Sequence, residues 1–121
     1  MNRNYLDILK FVKGVLDGET DPIANLANVA AILKTLPGFY WVGFYIVKDK
    51  DLVLGPFQGP VACTRIGYGK GVCGSSWAEK KSILVPDVEA FPGHIACNAL
   101  SKSELVVPVF NANGEVIMIL D

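Results

Sequence analysis

The run over residues 39–47, Phe-Tyr-Trp-Val-Gly-Phe-Tyr-Ile-Val, constrains this chain more than any other stretch. Aromatic and β-branched residues dominate it, which is the composition of a strand. The polar turn Lys48-Asp49-Lys50-Asp51 follows, and residues 52–57 return as a partner strand. Side chains alternate faces along a strand, so Trp41, Gly43 and Tyr45 share one face while Val42, Phe44 and Ile46 share the other. The second set reads as ordinary core. The first, a Trp and a Tyr either side of a Gly gap, suits a core or the wall of a pocket equally.

A second hairpin closes the chain: Glu104–Phe110 is a strand, Asn113-Gly114 a hairpin turn, and Val116–Leu120 the return. Two helices precede the first hairpin. Residues 4–16 place Ile8, Phe11, Val12, Val15 and Leu16 on one apolar stripe. Asp21 is a good N-cap and Pro22 suits the first helical turn. Ile23, Leu26, Ala30 and Leu33 then recur at helical spacing until Pro37-Gly38 stops the segment. The middle of the chain is irregular after Gln58-Gly59-Pro60, with Gly67, Gly69, Gly71 and Gly74 closely spaced. A short helix over residues 72–81 and a short strand at Ile83–Val85 complete the expectation. The pattern predicts one α+β domain over residues 1–121, its central sheet largely antiparallel and flanked by helices.

Apolar residues make up 51% of the 121 and charged residues 19%, enough for a real core and against disorder. The apolar runs are too short to cross a bilayer, so no membrane partner is expected. Asp7 stands where a signal peptide would need apolar residues, which points to the cytoplasm. Net charge is −1 with both signs scattered, so no basic stripe exists to bind nucleic acid.

Three cysteines are an odd number, a poor fit to a secreted disulfide framework. Cys63, Cys73 and Cys97 are each ringed by small or turn-forming residues, as in Gly93-His94-Ile95-Ala96-Cys97. They read as residues of connections, where scaffolds display chemistry, and together as a redox relay. Zinc is a weaker reading of Cys63, Cys73, His94 and Cys97, because no Cys-x-x-Cys pair supplies a tight chelate. His94 alone reads as a loop side chain bonded to backbone. The clustered glycines lack the Lys-Ser/Thr of a phosphate loop. Glu104 opens a strand and, alone, reads as a solvated strand end; Asp121 ends a strand and, on its own, says nothing.

Six segments in order carry a resemblance: Trp41-Val42-Gly43-Phe44-Tyr45, Leu54-Gly55-Pro56-Phe57-Gln58-Gly59, Ala62-Cys63-Thr64-Arg65-Ile66, Gly69-Lys70-Gly71-Val72-Cys73-Gly74, the Cys97 segment, and Ser103-Glu104. Together they resemble the GAF-domain free methionine-(R)-sulfoxide reductases over nearly the whole chain. The resemblance implies a GAF-like fold and reduction of free methionine-(R)-sulfoxide. Cys97 would be the catalytic nucleophile, Cys63 the principal resolving cysteine, and Cys73 an auxiliary one. Trp41 and Tyr45 would accept the methyl end of the substrate; Glu104 and Asp121 would bind its polar groups. Glu104 is also the candidate proton donor to the sulfoxide oxygen. Thioredoxin would restore the thiols, neither metal nor bound cofactor is implied, and a homodimer is frequent in the family. The family pattern continues past Leu120-Asp121 with a strand end, a second acidic pocket residue and a C-terminal helix. Two other classes stay open: a non-catalytic GAF module that binds a small molecule, and a cysteine-based redox sensor.

Overall fold

Every strand pairing in the structure, a computed structural model that describes residues 5–88 and 103–121, is antiparallel. The strands are β1 (Val42–Lys48), β2 (Asp51–Gln58), β3 (Arg65–Gly67), β4 (Ile83–Val85), β5 (Glu104–Phe110) and β6 (Val116–Leu120). They form one sheet in the order β3-β2-β1-β6-β5-β4. The two expected hairpins are β1–β2 and β5–β6. They become one sheet because β6 docks beside β1, pairing Phe44 with Leu120, Tyr45 with Ile119 and Ile46 with Met118. The last strand of the chain is therefore a central one.

Two strand expectations need correction. β1 starts at Val42 and not at Phe39, since Phe39 and Tyr40 are exposed residues that precede the sheet. The stretch after Gln58 is not irregular throughout: β3 pairs with Asp51, Leu52 and Val53. Three residues are too short a run for a period-2 pattern to declare itself.

The helices are α1 (Tyr5–Leu16), α2 (Pro22–Lys34) and α3 (Gly71–Glu79). Asp21 caps α2 as expected, its Oδ1 accepting the N–H groups of Ile23 at 2.9 Å and Ala24 at 3.2 Å. One sheet face packs on α2, where Ala30, Val42 and Phe44 are buried among Leu26, Val29, Leu33, Met118 and Leu120. The predicted stripes are only partly buried. Phe11 and Ile23 are exposed, whereas Ile8 and Ile32 are buried. A helical stripe covers a whole helix; burial comes only to the turns that lie against a neighbour.

The other face carries the main core, with Tyr45, Leu52, Ile66, Val85, Val106 and Ile119 meeting Val72 and Cys73 of α3. The clustered glycines explain how α3 comes so close. A Cβ on Gly74 would lie 2.5 Å from the Gly67 carbonyl oxygen. The Gly69 N–H donates to the Gly74 carbonyl at 3.0 Å, and Gly69 adopts a φ of +74°. These glycines seat a helix on the turn after β3. The helix ends at Glu79, short of the expected residue 81, because Lys80 takes a left-handed φ of 58°. Among the described residues no helix is long and apolar enough to cross a membrane.

Candidate active site

Strand parity and one aromatic ring build the first wall. Trp41 immediately precedes β1, and its ring lies back over Gly43. A Cβ on that glycine would come within 2.5 Å of Trp41 Cη2 and 2.4 Å of Phe57 Cβ. The gap in the sequence is thus filled by the tryptophan itself. Trp41 stacks on Phe57 with ring centroids 5.3 Å apart, and on Tyr45 at 6.0 Å. The wall borders a cavity of about 760 Å³, whose lining includes Trp41, Tyr45, Val72, Cys73, Glu104 and Asp121. That volume lies within the range of small-molecule sites.

The same alternation delivers the acids. Asp121 exchanges backbone hydrogen bonds with Gly43 at 2.8 and 3.0 Å, extending the β6–β1 ladder. Its side chain therefore shares the face of Ile119 and Tyr45. Glu104 stands two residues before the buried Val106 and shares that face as well. From the opposite side α3 brings Cys73, whose thiol donates to Asp121 Oδ2 at 3.2 Å and lies 3.8 Å from Glu104 Oε2. Donor atoms of Cys73, Glu104 and Asp121 all fall within 4.8 Å of one another, a mixed set able to hold a cation. This is not the set weighed from sequence, from which Cys63 is withdrawn because it is disulfide-bonded.

Burial dominates the electrostatics. The Asp121 carboxyl is raised above its ordinary value by desolvation, against the opposing pull of its hydrogen bonds with Glu104 and Cys73. Desolvation also pushes the Cys73 thiol well above 9.0, with the charges of Asp121 and Glu104 adding to it. Tyr45 moves upward for the same reasons, burial first. Several acids crowded out of water cannot all ionise, so the cluster keeps protons near neutral pH. It also favours an incoming cation.

Five of the sequence-derived candidates therefore meet at one place: Trp41, Tyr45, Cys73, Glu104 and Asp121. Cys63 lies in the connection between β2 and β3, half-buried against the same core. Its carbonyl accepts the Tyr45 hydroxyl at 2.8 Å. The expectation that all three cysteines lie in connections is corrected for Cys73, which is buried on α3 as a free thiol. Its flanking glycines resemble turn residues, but one opens a helix and the other lets it pack. Cys97 and His94 lie outside the described residues. Phe57, which backs the Trp41 ring, was missed. The hairpin register that sets it opposite Gly43 was the available signal.

No protein-family model matches the chain. GAF domain-containing protein A of Dictyostelium discoideum is 56% identical over 97% of this chain and 74% of that protein. The free methionine-R-sulfoxide reductase of Escherichia coli is 45% identical over 97% of this chain and 71% of its own length. The chain belongs to the GAF-domain free methionine-(R)-sulfoxide reductase family. The fold agrees: a free methionine-R-sulfoxide reductase from Neisseria meningitidis, solved with its substrate, matches with a TM-score of 0.95 at 50% identity. That match covers all of this chain and 75% of the neighbour. Within the reductase family frame, the aromatic wall and the thiol–carboxylate cluster occupy one cavity on the α3 side of the sheet.

Proposed function

We propose that this chain reduces free methionine-(R)-sulfoxide to methionine, with Cys97 as nucleophile and Cys63 as its resolving partner. The observation that carries the reading is the pairing, across one cavity, of a stacked aromatic wall with two half-buried carboxyls. An apolar wall of Trp41 and Tyr45 accepts the S-methyl end. Asp121 accepts the ammonium group, the part of the zwitterion that a peptide-bound residue lacks, and Glu104 faces the sulfoxide oxygen. Their partial burial supports the selectivity, because a carboxylate half removed from water gains more from a cationic ligand than a fully solvated one.

The chemistry runs in three balanced steps. The Cys97 thiolate attacks the sulfoxide sulfur while a protonated carboxyl, assigned to Glu104, delivers a proton to the oxygen. Methionine departs with two electrons, and Cys97 keeps the oxygen as sulfenic acid. The Cys63 thiol then attacks that sulfur, water leaves, and a Cys63–Cys97 disulfide forms. Two observations support Cys63 as the resolver: it is already disulfide-bonded, and Cys73 is a free thiol whose proton is held by burial and two carboxyls. A dithiol of the thioredoxin type reduces the disulfide by exchange. The cytoplasm, where such dithiols are kept reduced, is the proposed compartment, and a homodimer the proposed assembly.

The test is turnover of free L-methionine-(R)-sulfoxide with thioredoxin, with the S epimer and a Cys97→Ser variant alongside. R-selective turnover that vanishes in the variant supports the reading. A folded chain that binds the sulfoxide without turnover would instead be a binding module. One that forms its disulfide with peroxide and ignores sulfoxide would be a sensor.

A further inference from the structure

The two aromatic residues of the pocket wall have polar ends, and both ends reach the same loop. Residues 59–64 connect β2 to β3 and carry Cys63. Tyr45 donates its hydroxyl to the Cys63 carbonyl at 2.8 Å, and Trp41 donates its indole N–H to the Pro60 carbonyl at 3.0 Å. At the far end the Leu54 N–H holds the Thr64 carbonyl at 3.0 Å. At the near end Gly59 is pressed so closely on Trp41 that a Cβ would meet its Cδ1 at 2.8 Å. The loop is partly open to water: Val61 is 85% exposed, while Pro60, Ala62 and Cys63 are half-buried. An exposed segment of this kind ordinarily samples many backbone states. Here hydrogen bonds to the Pro60, Cys63 and Thr64 carbonyls hold the loop, and Cys63 packs half-buried against the core.

We infer that Tyr45, with Trp41, is a positioning residue for the resolving step, holding the Cys63 backbone where its sulfur meets the oxidised nucleophile. The inference rests on the proposed reductase reading. It adds to that reading a second task for the wall: the ring faces bound substrate, and the hydroxyl sets the geometry of the thiol that acts after methionine has left. The donor is dependable, since burial and the neighbouring Cys73, Asp121 and Glu104 keep the Tyr45 hydroxyl protonated. Condensation of a thiol with a sulfenic acid needs the two sulfurs brought together, and a loop free to wander reduces their effective concentration. The step itself forms one S–S bond and releases one water, with no external oxidant.

A single-turnover experiment separates the two tasks. Fully reduced chain is mixed with one equivalent of methionine-(R)-sulfoxide without reductant. Methionine release is followed alongside the sulfenic acid, trapped by a cyclic 1,3-diketone. Tyr45→Phe keeps the ring and removes the donor; its sulfenic acid should persist about tenfold longer than wild type, the scale of one lost hydrogen bond to a half-buried acceptor. Methionine release should fall by a smaller factor. Trp41→Phe, which drops the Pro60 contact, should lengthen the lifetime in the same direction. In a Cys63→Ser background, Tyr45→Phe should leave the sulfenic acid lifetime unaltered, because the residue acts through Cys63. The assignment is overturned if Tyr45→Phe slows methionine release while the sulfenic acid resolves at the wild-type rate. An equal lengthening in the Cys63→Ser background would overturn it too, placing the effect on the nucleophile. Absence of methionine release from the reduced wild-type chain would sink the reductase reading itself, and this assignment with it.

Discussion

Cys63 and Cys73 pack against the same core cluster, yet they are built for opposite behaviour. Cys63 rides on a connection between strands, its backbone held by hydrogen bonds while its sulfur is engaged in a disulfide. Cys73 lies in a helix whose glycines press it onto the sheet, its thiol shared between Asp121 and Glu104. Thiol reactivity depends on the thiolate, and burial beside carboxyls suppresses it. The contrast teaches that a cysteine's role is set by its electrostatic surroundings as much as by its presence in a site. In the proposed cycle Cys63 exchanges electrons, while Cys73 belongs to the polar end of the substrate cavity.

The sharpest attack on this contrast exchanges the two residues' importance. Cys63→Ser should lower thioredoxin-supported turnover by about two orders of magnitude or more, as expected when a covalent participant is removed. Cys73→Ser should cost less than about tenfold, since it alters only a hydrogen bond. Steady-state assays of the two variants decide the matter, and the reverse order would break the comparison.

A second measurement probes the carboxyl end. Asp121→Asn should raise KM about tenfold or more, the scale of a hydrogen bond to a charged group, with a smaller change in kcat. The same change should increase stability at neutral pH. The folded chain holds the Asp121 proton after the unfolded chain has lost it, so stability falls as pH rises through and above 3.8. Asparagine removes that loss, and thermal melts from acid to neutral pH should show a flatter profile. A variant less stable than wild type at neutral pH would contradict the assignment.

Gly74→Ala tests whether the helix carrying Cys73 needs its close approach. A methyl group there meets the Gly67 carbonyl, a backbone atom with little freedom to yield. Denaturant unfolding should show a loss of about 1–3 kcal/mol, and Cys73 should alkylate faster as its packing loosens. Unchanged stability with unchanged reactivity would mean the helix is not held by this contact.

The smallest expected effect lies at alkaline pH. The unfolded chain releases the Cys73 proton near 9.0, whereas the folded chain retains it, so stability should decline above about pH 9. Cys73→Ser should reduce that decline, a difference readable in melting temperature. An identical alkaline slope in both proteins would show that Cys73 is not the group responsible.

Local chemistry made much of this molecule legible in advance. The Asp21 cap, both hairpins and the shared face of Trp41 and Tyr45 depend on neighbours within a few residues, and periodicity reports such neighbours directly. The site's position near Trp41, Tyr45, Glu104 and Asp121 could be anticipated through resemblance to a family. The residues themselves offered only a plausible pocket face and two acids at strand ends. Phe11, Ile23 and β3 were misjudged where a pattern was either longer than the surface it met or too short to register.

What the linear chain could not express is adjacency between distant segments. β6 pairs with β1 only once both hairpins exist, and that pairing alone carries Asp121 to Gly43 and the aromatic wall. Nor does a cysteine flanked by glycines reveal whether they make a turn or admit a helix. Tertiary packing settled that by closing α3 on the β3 turn, which placed a thiol against two carboxyls and out of water. Periodicity records which way a side chain points; its protonation and reactivity follow from what the fold brings to meet it.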